Sequence, residues 1–341
     1  NYEGGCSKND GCSMRNIIRR LSGREAGIFV MIILFCTAVG LYKPHFISTN
    51  SLRIILLLVP LIMIGAMAQM LVLVARHVDL SMGSMLGFSA MVAGLMYRDF
   101  PDIWWPVGFL VAIGTGTTLG LFNGLLVTIF KLPSIIVTLG TLNLYRGLTF
   151  IISDARQINR ANIPSELKAM SQTSPIFGIP WIILMSFAIA LLTFYVVRYT
   201  QLGRQIYALG SNPDAAPLRG INVTKVTLIV FAISGALSGL AGIMYASRWG
   251  FVNPSNTGMG FEFQVIAAVV IGGVSINGGV GTVLGTFLGV ILLGCVAAAL
   301  PLLGIPGTTQ SAIYGSVILV ALLIDRSVRQ RTTSNTKRSG V

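Results

Sequence analysis

Ten apolar stretches follow one another along this chain, most of them near the length that crosses a bilayer, with only short polar breaks between them. A helix rises about 1.5 Å per residue, so roughly 20 apolar residues span the hydrocarbon, and in lipid the backbone must satisfy its own hydrogen bonds. The fold class follows: an all-α polytopic membrane protein with about ten transmembrane segments. They run over 26–42, 52–75, 86–97, 104–130, 135–152, 176–197, 226–246, 262–276, 283–300 and 310–324.

Charge sets the topology. Only 10% of residues are charged and 54% are hydrophobic, far from the roughly 25% charged of soluble chains. The net charge of +13 would point a soluble chain toward nucleic acid. Here the cations lie in polar breaks and at both ends, with no basic block interleaved with aromatics, so they read as positive-inside charge and no nucleic-acid partner is expected. Arg15, Arg19, Arg20 and Arg24 precede the first stretch and place the N-terminus in the cytoplasm. An even number of spans returns the C-terminus there. On that scheme the outward parts hold Lys43, Arg53, Arg98, Arg146, Arg156, Arg160, Lys168 and Arg248, and the inward parts hold the other two thirds of the 24 Lys and Arg residues.

The expected organisation has four parts. Residues 1–13 read as an expression or processing remnant, since Met14 looks like a natural start. Residues 14–25 form a basic cytoplasmic N-terminus, 26–324 the transmembrane domain and 325–341 a basic cytoplasmic tail. The four cysteines have no metal spacing, and no metal site or structural disulfide is expected. His45 and His77 stand at segment ends without a nucleophile beside them, so catalysis is not expected.

Two long polar features remain. The break at 198–225 carries Arg198, Arg204, Arg219 and Lys225, two prolines and a Gly-Ser-Asn-Pro-Asp turn, more than a linker needs; it reads as a cytoplasmic docking loop for a soluble partner. Val78-Asp-Leu-Ser-Met-Gly-Ser84 sets a carboxylate and hydroxyls where a helix restarts, so Asp79 or Ser81 is read as its cap. Glycines at 281, 285 and 289 make a close-packing helix face. Segments two to five and seven to ten share a pattern and begin on opposite sides, as in an inverted repeat.

Polar residues inside apolar stretches mark pathways. Gln69, Asn123, Thr138, Thr141, Asn143, Arg146, Glu262 and Gln264 are the translocation-path candidates. Most are neutral hydrogen-bonding groups, suited to a hydroxyl-rich solute. Each taken singly serves equally well as a helix-to-helix hydrogen bond.

The chain resembles the membrane-spanning permease subunit of ATP-binding-cassette sugar importers of the ribose, xylose, arabinose and galactose class. The resemblance covers roughly residues 46–326. It rests on Val78-Asp-Leu-Ser-Met-Gly-Ser, Thr138-Leu-Gly-Thr-Leu-Asn-Leu-Tyr-Arg-Gly, Leu202-Gly-Arg-Gln-Ile-Tyr-Ala-Leu-Gly-Ser-Asn-Pro-Asp-Ala-Ala and Ile271-Gly-Gly-Val-Ser-Ile-Asn-Gly-Gly-Val-Gly-Thr. The family usually has Val at Met82 and rarely Pro at Pro217. Residues 139–147, 163–168 and 250–258 look closest to the autoinducer-2 or rhamnose branch.

The resemblance implies a type II importer-like permease of the bacterial inner membrane, paired with a second permease, identical or related. It implies two cytoplasmic ATPase subunits and a periplasmic or lipid-anchored sugar-binding protein. ATP would act on the ATPase, and this chain would hold no cofactor. Within the loop, Gly203, Arg204, Tyr207, Gly210, Asn212, Ala215, Ala216 and Gly220 match the family's ATPase-coupling pattern. The alternative is an ion-coupled secondary transporter, which needs a mid-span ion site; no pair of carboxylates sits mid-span. An intramembrane enzyme is the weakest reading.

Overall fold

The computed structural model describes residues 23–172, 179–306, 309, 312–316 and 319. The expected remnant, most of the basic N-terminus, the basic tail and most of the tenth stretch lie outside them. In chain order the α-helices are α1 (Gly23–Tyr42), α2 (Thr49–Val74), α3 (Met82–Asp99), α4 (Val107–Ile129), α5 (Ser134–Ser153), α6 (Ser165–Gln172), α7 (Trp181–Tyr199), α8 (Gln201–Ser211), α9 (Val223–Trp249), α10 (Phe261–Ile271) and α11 (Val283–Leu302).

Seven of these, α1, α2, α4, α5, α7, α9 and α11, are long and apolar enough to cross a membrane. The third and eighth stretches behave differently. The eighth is α10, whose 11 residues cover only about 16 Å. The third is α3, rich in Gly, Ser and Met and buried along most of its length. Hydropathy alone does not separate a crossing helix from a shorter one enclosed by its neighbours, and the described residues therefore do not confirm a count of about ten spans.

Caps chosen by the sequence set the long helices. Ser48 accepts from the Ser51 amide at the start of α2, Asn222 from Lys225 at the start of α9, and Thr282 from Gly285 at the start of α11. Gly250, at φ 70°, ends α9 in the left-handed conformation that suits glycine.

At the centre stand α2 and α9, of 26 and 27 residues, packed on each other. Around them, α9 packs on α3 and α4, while α2 packs on α10 and α11. The α3–α4 pairing is matched by α10–α11. Exchanging α2 with α9, α3 with α10 and α4 with α11 therefore leaves the packing scheme unchanged, as the repeat in the sequence would require. Small residues make the central contacts close: a Cβ on Gly116 of α4 would run into the backbone of Gly235 and Gly239 on α9, and one on Gly120 into that of Phe231 and Gly235. The same holds for Gly285 and Gly289 of α11 against Gly272 and Ala268. Outward-facing positions on α1, α5 and α7 are large and apolar, among them Leu34, Ile136, Leu144, Phe187 and Leu192.

Candidate functional site

The break between α2 and α3 buries its carboxylate and hydroxyl while Arg76 stays exposed. Arg76 turns the chain at φ 68°, and Asp79 and Ser81 are fully enclosed. Asp79 Oδ1 accepts from the Ser81 amide at 3.0 Å and from Ser81 Oγ at 2.7 Å, and Oδ2 accepts from Ser234 Oγ of α9 at 2.8 Å. Asn123 Nδ2 donates to Ser81 Oγ at 2.8 Å, and its Oδ1 accepts from Tyr145 Oη at 2.9 Å. One closed network thus joins the break to α4, α5 and α9. The capping expectation is corrected in detail. Ser81 precedes α3 without a side-chain cap bond, and the Asp79 carboxylate holds Ser81 and α9 instead of the first-turn amides.

The path candidates do not gather at one place. Asn123 belongs to the buried network. Thr138 donates to Ser134 O at 2.9 Å and lies 3.3 Å from Val78 O, and Thr141 lies 3.4 Å from Thr138 O; both are buried. Gln69 is fully enclosed in α2, and neither side-chain amide atom has a partner among the described residues. Asn143 is exposed on α5 and returns to Leu139 O of its own helix. Arg146 donates to Thr257 O at 2.7 Å, and buried Glu262 packs against Gly83 at the start of α3. Gln264 is half-buried on α10. Arg146 therefore pins the 253–260 turn, while Asn143 is exposed on an outer helix face.

The 198–225 loop is ordered by packing. Thr200 caps α8 through the Gly203 amide, and α8 lies with Ile206 and Leu209 against the helical body. Three segments meet beneath it. The Gly279 amide donates to Val74 O, the last residue of α2, at 2.9 Å. A Cβ on Gly210 would overlap that same Val74 oxygen and stand 2.7 Å from the Gly279 nitrogen. Tyr207 Oη donates to Gly281 O at 2.6 Å, and burial raises the phenol above its ordinary pKa. The loop is thus fastened to the glycine-rich 272–281 turn and to the lower end of α2.

The eight loop residues divide by face. Gly203, Gly210 and Ala216 are buried, Tyr207 and Ala215 half-buried, and Arg204, Asn212 and Gly220 exposed. Asn212 Oδ1 accepts from the amides of Asp214 and Ala215, both at 3.1 Å, and so shapes the turn. Pro217 opens a 3-10 turn over Pro217–Arg219, and on it Leu218 is 88% exposed. Reading the loop by pattern missed Leu218. Its signal was a large apolar residue between Pro and Arg in the most polar stretch of the chain's second half.

Comparison with known proteins gives a consistent picture. The family model described as "Branched-chain amino acid transport system / permease component" matches residues 51–322. The autoinducer 2 import system permease protein LsrC of Salmonella typhi is 34% identical over 93% of this chain and 90% of its own. The LsrC of Enterobacter sp. (strain 638) is 34% identical over 92% and 90%, and that of Photorhabdus laumondii 32% over 93% of each. No solved structure matches.

Proposed function

Because the chain belongs to this family of permease components, we propose that it is the membrane-spanning subunit of an ATP-driven, binding-protein-dependent importer of a monosaccharide or sugar-like solute. The observation that carries the reading is the near full-length match to autoinducer 2 import permeases. The family description names amino acids, but the similar relatives span both chains almost end to end and import autoinducer 2, and the substrate class follows them. The protein sits in a bacterial inner membrane, pairs with a second permease, and has the 198–225 loop and both termini in the cytoplasm. The start of α1 supports this placement: Glu25 accepts from Thr282 at 2.7 Å, on the same end as the loop.

In this reading Arg204, Leu218 and Arg219 face a cytoplasmic ATPase, and the buried glycines let α8 pass its displacement to Val74 and the 272–281 turn. Rocking of the paired permeases then opens the path to either side. Uptake into proteoliposomes holding this chain, its ATPase and its binding protein tests the proposal. Uptake that requires all three and internal ATP, and ignores ionophores, is expected. Uptake by this chain alone that collapses with an ion gradient assigns it to secondary transport.

A further inference from the structure

All four tryptophans, Trp104, Trp105, Trp181 and Trp249, stand at one end of the bundle, opposite the 198–225 loop. The antiparallel packing of α4 on α9 and the Ile158–Val252 bridge bring these helix ends to one level. Tryptophan collects at the boundary between headgroups and hydrocarbon, so this ring marks the membrane surface.

Three cations from three elements lie toward this end, and the stems of two of them meet at the end of α9. Arg248, in the last turn of α9, lays its guanidinium over Trp249 with Cζ 4.7 Å from the ring centroid, and Trp249 stacks on Tyr245 at 4.4 Å. Arg248 Nη1 is shielded and has no acceptor among the described residues. A Cβ on Gly250 would stand 3.3 Å from Arg160 Cγ and 3.6 Å from Lys168 Cδ, so both stems converge on the end of α9. Lys168 Nζ donates to Arg160 O at 2.9 Å, and reciprocal Ser171–Ser247 and Ser247–Leu167 bonds clamp α6 to α9. Among the described residues the one ion pair is Arg98–Asp99, so none of these three charges is paired there, and the sequence of residues 173–178 holds no Asp or Glu. A single arginine in a last turn is explained by the helix dipole. Two cation stems that meet at the end of α9, beside a third cation in its last turn and with no carboxylate paired to any of them among the described residues, call for an anion.

We propose that Arg248, Arg160 and Lys168 bind the phosphate headgroup of an anionic phospholipid, with Trp249 and Tyr245 beside its glycerol and upper acyl chains. The position at the tryptophan level favours a lipid phosphate over a free one. The site rests on the membrane placement of the chain and not on its coupling to an ATPase.

Native mass spectrometry of the detergent-purified chain, after exchange into mixed phosphatidylglycerol and phosphatidylcholine, tests it. The parent protein retains phosphatidylglycerol preferentially. Arg248→Gln and the less enclosed Lys168→Gln each lower that retention about fivefold, at about 1 kcal/mol per cation near the surface, and the nearby ion-paired Arg98→Gln leaves it unchanged. Equal retention in the parent and both variants overturns the proposal. So does an arm in which inorganic phosphate stabilises the chain while no lipid is retained, which assigns the cluster to a free oxyanion. Lower affinity for a purified binding protein with unchanged lipid retention would assign it to protein docking and also overturn it.

Discussion

The chain interrupts its membrane helices with two polar segments of similar residue type, and the two resolve their polarity in opposite ways. At 79–81 the polar side chains are enclosed, and each side-chain donor of the network around Asp79 finds an acceptor, reaching α4, α5 and α9. At 198–225 the polar groups face outward, and the small residues turn in to let backbones touch. Burial, not residue type, decides the role. In the enclosed break a lost partner leaves orphaned groups in a low dielectric, whereas on the loop surface water replaces it. The first should govern whether the protein folds and the second which protein it meets.

Asp79→Ala should show the largest effect. It strands the Ser81 amide and the hydroxyls of Ser81 and Ser234, at a cost of roughly 3–5 kcal/mol, read as a lower melting temperature and loss of monodisperse protein in detergent. Asp79→Asn keeps one oxygen acceptor and should cost about 1 kcal/mol while preserving most transport. A stable, assembled Asp79→Asn protein with no transport would move the carboxylate from scaffold to pathway. Next comes Gly210→Ala, which tests whether the loop is truly fastened. Its methyl must push α8 away from Val74 and Gly279, so ATP-driven uptake should fall at least about tenfold, with an overpacking cost of roughly 1–3 kcal/mol. Unchanged uptake would mean that the junction transmits nothing.

The sequence made the helical, membrane-embedded fold legible because apolar runs of span length are a strong signal. It also located both polar segments and the small-residue faces. What it did not resolve was direction. Gly203, Gly210 and Ala216 match a docking pattern, yet they are buried against their own chain. Spacing along the loop carries no information about which side of it meets the body. Asn123 was visible as an intramembrane polar residue, but its tie to Ser81, 42 positions away, arises from helix packing that no local pattern encodes. The short α10 was counted among the apolar stretches because apolar composition records enclosure by protein and by lipid alike.

The smallest effect on stability, and the sharpest test of the loop's outward face, belongs to Arg204→Glu and Leu218→Asp. Both side chains are exposed, and neither has a hydrogen bond or ion pair among the described residues, so each change should shift stability by no more than about 0.5 kcal/mol. Leu218 exposes an apolar side chain beside the restricted backbone of Pro217, a form suited to a preformed pocket, and Arg204 lies on the exposed side of α8. If that face meets the ATPase, each variant should lose ATPase copurification while its melting temperature stays with the parent's. Copurification at the parent level in both would leave the loop as a structural fastening, and the contrast between the two polar segments would then be one of solvent exposure alone.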